Sequence, residues 1–140
     1  MPLSTQPESI LVTRSGAVGD FVLTTPVIAS LRSAYPGARL AVCGNPDRVV
    51  LISDLIDDMQ DINDAAWAPF FNRNSAPTGD LARQISSTDL IVNFLPDADD
   101  VFSQTLHSLT AGTVLSYSPH PLEDGSIHIV DHLLAAIRPL

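Results

Sequence analysis

The sequence predicts an α/β fold, a Rossmann-like parallel sheet with helices on both faces. Short apolar runs alternate with longer segments of helical periodicity along most of the 140 residues, which is the pattern of a parallel sheet connected by helices. The apolar runs are continuous, as expected of strands buried on both faces. Hydrophobic residues make up 45% of the chain and charged residues 16%, so we expect a single domain over residues 1–140.

The first strand–helix–strand unit is the clearest part of the pattern. Residues 9–13 (SILVT) and residues 38–44 (ARLAVCG) are the first two predicted strands. Between them, apolar residues recur at helical spacing over residues 20–35, which predicts a helix. We expect the strand of residues 9–13 to be central in the sheet.

The rest of the chain continues the alternation less regularly. The predicted elements are a helix at 45–56, a short strand near 62–67, a strand at 89–95, a helix at 97–109, a strand at 112–118 and a closing helix at 127–138. The least regular stretch, residues 60–77, contains Trp67, Phe70 and Phe71. Core or domain-junction packing is the expected role of these aromatic side chains, and the lining of a ligand groove is the alternative.

Charge and composition exclude several classes of protein. Sixteen acidic residues stand against seven basic ones, all of them arginine, for a net charge of −9. This charge disfavours nucleic acid and anionic membrane surfaces as partners, so membrane contact is expected to be peripheral at most. We find no signal-peptide pattern and no apolar run near the ~20 residues that span a bilayer. A cytoplasmic location is the resulting expectation, and the single cysteine, Cys43, cannot form an internal disulfide.

The loop after the first strand reads SGAVGD and contains Gly16 and Gly19. It lacks the third glycine of a dinucleotide fingerprint and the G-K-[ST] of a P-loop, so no cofactor is expected. Asp20 follows at the start of the predicted helix, and two roles are open for it. It is either a helix-start acid or cap, or part of a ligand site, because open α/β sheets bind ligands beyond the carboxyl ends of their strands.

A longer segment carries a family resemblance. Residues 10–44 (ILVTRSGAVGDFVLTTPVIASLRSAYPGARLAVCG) resemble the start of the ADP-heptose:lipopolysaccharide heptosyltransferases, glycosyltransferase family 9. The most specific part is RSGAVGDFVLTTP, and the likeness continues through TDLIVNFL, SLTAGTVLSYSP and HIVDHLLAAIRPL. It implies the N-terminal, acceptor-side half of a two-domain GT-B fold, with the donor-binding C-terminal domain absent.

The resemblance implies a function for the glycine loop. In the family, the aspartate after the second glycine is the general base that takes the proton from the acceptor hydroxyl, and here that residue is Asp20. The implied enzyme is an inverting glycosyltransferase that moves a sugar from a nucleotide-sugar donor to a cell-envelope glycan or glycolipid. The residues implied to face the acceptor are Ser15, Gly16, Gly19, Thr24 and Thr25. Local backbone bonding is an equally open role for the two threonine hydroxyls.

The sequence also departs from the family. Many members carry an acidic residue and a glutamine around the positions of Asn93 and Leu95, so we expect the floor of the acceptor pocket to differ in this chain. Lipid-A-modifying members carry several basic residues in the middle stretch, where this chain has only Arg73 between residues 59 and 81. The sequence therefore disfavours a heptose acceptor on a phosphorylated lipid.

Without a donor domain, the chain is expected to be inactive alone. It would be a piece of a longer enzyme or work with a separate donor-domain polypeptide, and its uncovered surface would support a homodimer. The alternative from another class is a non-catalytic Rossmann-like binding or scaffold module. A small nucleotide-binding domain is a further alternative, disfavoured by the missing fingerprint.

No metal site is expected from the sequence. His128 and His132 stand four residues apart beside Asp131, but no third ligand occurs at motif spacing. An acidic series runs through residues 54–64 and lacks the glycine and glutamate of a calcium loop. We interpret it as a solvated face.

Overall fold

The computed structural model describes residues 6–15, 18–95 and 100–117, with the backbone alone for residues 18–21 and 23. Within these residues the strands are β1 Ser9–Thr13, β2 Arg39–Gly44, β3 Asp58–Asp61, β4 Leu90–Asn93 and β5 Thr113–Ser116. They form one sheet in the order β3-β2-β1-β4-β5, and each neighbouring pair is parallel. The predicted α/β class and the central position of the first strand are both confirmed.

Helices cover both faces of the sheet. Those in the described residues are α1 Val18–Ala34, α2 Pro46–Val49, α3 Asp80–Ser86 and α4 Val101–Leu109, with 3₁₀ helices at Val50–Ile52 and Ala65–Phe71. Because side chains alternate along a strand, Ile10 and Val12 join a core cluster with residues of α1 and α2. Leu11, between them, joins the opposite cluster with residues of α3, α4 and the second 3₁₀ helix. The sheet therefore separates two apolar cores.

The predicted strand near residues 62–67 is wrong. The strand in this region is β3, which pairs with β2 from Ala41↔Asp58 to Gly44↔Asp61. Trp67 lies instead in the 3₁₀ helix Ala65–Phe71, whose N-cap residue Asp64 accepts a hydrogen bond from the Ala66 N–H. A capped start and buried side chains three residues apart fit a 3₁₀ helix.

Two other elements differ from the sequence prediction. The expected helix at 45–56 is a single α-helical turn, α2, followed by the 3₁₀ helix Val50–Ile52. The helix α3 was not predicted, because seven residues with only Ala82 and Ile85 buried give little helical periodicity. The closing helix expected at 127–138, with His128, Asp131 and His132, lies outside the described residues. Among the described helices, none combines the length and the hydropathy that crossing a bilayer demands.

Candidate functional site

The strand order identifies the edge of the sheet where a ligand site is expected. From β1 the chain adds β2 and β3 on one side, then returns to add β4 and β5 on the other side. The order therefore reverses between β1 and β4. In open α/β sheets, ligands bind in the crevice beyond the carboxyl ends of the strands at such a reversal. Thr13 ends β1 and Asn93 ends β4, so the residues that follow them border this crevice.

A row of hydrogen-bonded polar side chains lies across the last rung of the sheet, buried at Thr13 and Asn93 and exposed at Ser116. Thr13 pairs in register with Asn93, and Asn93 pairs with Ser116 at the end of β5. The Thr13 Oγ1 donates to Asn93 Oδ1 at 2.5 Å, and Asn93 Nδ2 donates to Ser116 Oγ at 3.3 Å. The hydroxyl of Ser103, on α4, lies 2.9 Å from that of Ser116. Hydrogen bonds therefore connect the central strand to α4.

The same row shapes the backbone that leaves β4. The Asn93 Oδ1 also accepts from the Leu95 N–H at 3.1 Å. The Phe94 N–H lies 3.0 Å from the Thr13 carbonyl and 3.3 Å from the Thr13 hydroxyl. Asn93 is only 1% exposed, so its side chain belongs to this internal network and not to an open pocket floor. Sequence reasoning noted Asn93 only as a departure from the family.

Arg14, directly after β1, is a buried arginine that the sequence analysis did not single out. It is 4% exposed, and its backbone N–H donates to the Cys43 carbonyl at 2.9 Å. Its Nε donates to the Thr24 hydroxyl at 3.1 Å. The Thr24 side chain is fully buried, so this contact fastens the second turn of α1 to the end of β1. The sequence did contain a signal for Arg14, because it is a basic residue directly after the apolar run of residues 9–13.

The structure places Asp20 in the first turn of α1, as the third helical residue. It is therefore not at the N-cap, although a first-turn acid is still favoured by the helix dipole. Thr24 lies one turn further on the same side of the helix, since residues four apart are neighbours. The side chain of Asp20 and all of Gly16 lie outside the described residues.

The remaining predicted acceptor residues stay close to this edge. Gly19 is the second residue of α1, and Ser15 and Thr25 are half-buried. The backbone therefore keeps Ser15, Gly19, Asp20 and Thr25 in one short segment that leaves the carboxyl end of β1.

The aromatic residues of the middle stretch belong mainly to the core. Trp67 and Phe70 are 2% and 1% exposed, and both rings contact the buried Phe102 of α4, at centroid distances of 6.0 and 6.2 Å. The predicted core role is confirmed for these two. Phe71 is 45% exposed and stacks on Phe102 at 4.5 Å.

Cys43 is not placed to act as a nucleophile. Its side chain lies in the core cluster on the α4 side of the sheet. Burial, and to a smaller degree the negative charge of Asp61, raise the pKa of its thiol to about 12. The thiol therefore stays protonated at neutral pH, and only the thiolate is reactive.

Comparison with solved structures supports the fold assignment. The crystal structure of the glycosyl transferase family 9 protein from Veillonella parvula DSM 2008 matches 98% of this chain and 42% of its own, at 19% identity and a TM-score of 0.63. Cypemycin decarboxylase CypD matches 94% of this chain and 77% of its own, at 15% identity and a TM-score of 0.40. No protein-family model and no curated protein matches the sequence. The chain thus has a fold similar to that of less than half of a glycosyl transferase family 9 protein.

Proposed function

We propose that this chain is the acceptor-side domain of an inverting glycosyltransferase of the family 9 type, with Asp20 as the general base. The observation that carries the proposal is the position of Asp20, in the first turn of the helix that leaves the central strand at the order reversal. The resemblance of RSGAVGDFVLTTP and the fold of the Veillonella parvula protein support it.

The proposed chemistry is a proton transfer coupled to substitution. The Asp20 carboxylate takes the proton of an acceptor hydroxyl while the hydroxyl oxygen attacks the anomeric carbon of a nucleotide-sugar. The bond from that carbon to the phosphate oxygen breaks, and the nucleoside diphosphate leaves. A general base must be held within hydrogen-bond reach of that hydroxyl. The contact between Arg14 and Thr24 contributes to this, because it fixes α1 one turn beyond Asp20.

The donor is proposed to bind outside this domain. The chain spans 42% of the length of the Veillonella parvula protein, so a second domain, in a longer polypeptide or a separate one, would supply the nucleotide-sugar site. We propose a cell-envelope glycan or glycolipid as the acceptor. Residues 1–140 alone should therefore neither transfer nor hydrolyse a nucleotide-sugar, and measurable ADP-sugar binding by this chain would contradict the domain assignment.

The proposal also concerns self-association. A face built to contact a second domain commonly buries about 600 to 1,500 Å². We therefore propose that the chain without that domain forms a homodimer. Sedimentation over a wide concentration range tests this, and a constant monomer mass would contradict it.

Asp20→Asn in the complete enzyme, or in the reconstituted pair, tests the catalytic role. The amide keeps the size of the side chain but cannot take a proton, so turnover should fall about 10²- to 10⁴-fold. Folding should change by about 1 kcal/mol or less. Asp47→Asn is the matched control, because Asp47 is also an acid in the first turn of a helix, and it should leave turnover unchanged.

Turnover and melting temperature are measured on the same preparations. If the turnover of Asp20→Asn stays within a few-fold of that of the parent, Asp20 is only a first-turn acid and not the general base. The non-catalytic binding module would then be the better description of this domain.

A further inference from the structure

A groove of about 490 Å³ lies beside β3, at the open edge of the sheet. Its walls come from α2 and from residues 50–59, which lead from α2 into β3. Within the described residues β3 is the last strand of the sheet and pairs with β2 on one side only. An edge strand of this kind presents unpaired backbone N–H and C=O groups on its free side. The groove is therefore bordered by a strand that can still accept a neighbour.

Exposed apolar side chains are concentrated around this groove. Val50, Leu51 and Met59 are 60%, 57% and 43% exposed, and they are half of the six large hydrophobic side chains exposed among the described residues. Val50 and Met59 line the groove, together with the buried Val49 and the half-buried Ile56. A partner that covers these side chains removes apolar surface from water, which favours binding.

The charge of the groove selects a basic partner. Its described lining includes three aspartates, Asp47, Asp57 and Asp58, and no basic residue. Asp57 and Asp58 form ion pairs with Arg32 and Arg39, whereas Asp47 forms none with any described residue. A lysine or arginine brought to Asp47 would complement this charge. A second copy of this chain, with its net charge of −9, would instead bring like charges together.

We propose that the groove binds an extended segment of a partner polypeptide, which pairs with β3 as an added strand and carries an apolar and a basic side chain two positions apart. Alternate side chains of a strand point to the same face, so both of these side chains enter the groove. The apolar one packs against Val50 and Met59, and the basic one pairs with Asp47. Backbone hydrogen bonds to β3 supply affinity, and the groove supplies specificity. This inference goes beyond the proposed function and does not depend on it, since it concerns a partner polypeptide and not sugar transfer.

The test uses the 140-residue chain labelled with ¹⁵N and a short synthetic peptide. In the peptide, valine and arginine alternate at every second position, with threonine between them. Backbone amide signals of Val50 and of residues 57–61 should shift in a saturable way. Amide hydrogen exchange in β3 should slow, because its free edge becomes paired.

Two altered peptides identify what is recognised. Glutamate in place of arginine should weaken binding about tenfold, because like charges then meet. N-methylation of the central residues keeps the side chains but removes the backbone donors, and it should abolish measurable binding. The proposal is overturned if the parent peptide gives no saturable shift at millimolar concentration, or if either altered peptide binds equally well. Shifts at the same residues that grow with protein concentration alone would show a second copy in the groove and would also overturn it.

Variants separate the groove from general attraction. Val50→Ser and Asp47→Asn each change one side chain that lines the groove, and each should weaken binding about two- to fivefold. Leu51→Ser and Asp54→Asn are the matched controls, because these two residues do not line the groove, and binding should be unchanged. All four side chains are exposed, so the fold should be retained. Equal losses in the groove variants and the controls would refute the site.

Discussion

Asn93→Ala tests whether the polar row at the last rung stabilises the fold. The alanine removes the oxygen that accepts from the Thr13 hydroxyl and the Leu95 N–H, and the amide group that donates to Ser116. Both Thr13 and Leu95 are buried, so water does not readily replace the lost acceptor. A buried donor left without a partner costs about 1–3 kcal/mol. Two such donors predict a loss of about 3 kcal/mol in the free energy of unfolding.

Urea unfolding of parent and variant, followed by circular dichroism, measures this loss. Asn74→Ala is the control, because Asn74 lies in an exposed loop and its loss should stay within about 0.5 kcal/mol. A cycle with Thr13→Val should show that the two substitutions are not additive, since they remove one shared hydrogen bond. An Asn93→Ala loss no larger than that of Asn74→Ala would refute the reasoning.

Three further predictions concern other features of the fold. Gly112→Ala should cost about 2 kcal/mol in urea unfolding, since its methyl would meet a backbone carbonyl oxygen at 2.7 Å, whereas Gly37→Ala has open space; equal losses would contradict this. Cys43 should react with a thiol reagent at pH 8 only after denaturant is added, because its pKa is raised to about 12; rapid labelling of the native chain would contradict its burial. The Arg32 hydrogen bond lowers the pKa of Asp57 below 3.8, so Asp57 stabilises the fold above that pH and loses this contribution as the pH falls through the lowered value. The stability difference between the parent and Asp57→Asn should shrink on acidification, and a difference independent of pH would argue against the pairing.

The strands of the sheet were predictable to different degrees, for a physical reason. β1, β2 and β4 are buried on both faces, so they appear in the sequence as continuous apolar runs. β3 has the sequence DMQD, is half-exposed and lies at the edge of the sheet. Only its pairing with β2 makes it a strand. A reading from local apolarity therefore placed the strand a few residues too late.

The sequence predicted only those parts of the site that residues close to one another along the chain determine. A glycine loop after an apolar strand was enough to place Asp20 at the carboxyl edge. The hydrogen bond between Thr13 and Asn93 joins residues 80 positions apart, and it requires the register between β1 and β4. Thr13 and Asn93 each follow directly after three apolar residues, and Ser116 follows directly after two. That recurrence was the one signal of the row visible in the sequence.

The polar row also decides how β1, β4 and β5 align. A slip of two residues between parallel strands returns every side chain to its own face, so the apolar pattern alone tolerates it. After such a slip Asn93 would lie beside Leu11 and not beside Thr13, and its amide would be buried against hydrocarbon. The hydrogen bonds from Thr13 to Asn93 and from Asn93 to Ser116 thus select one register of β1, β4 and β5 among those that the two apolar cores permit. They thereby fix the relative heights of the loops after β1 and β4, which would otherwise differ by about 6.6 Å, two steps of about 3.3 Å.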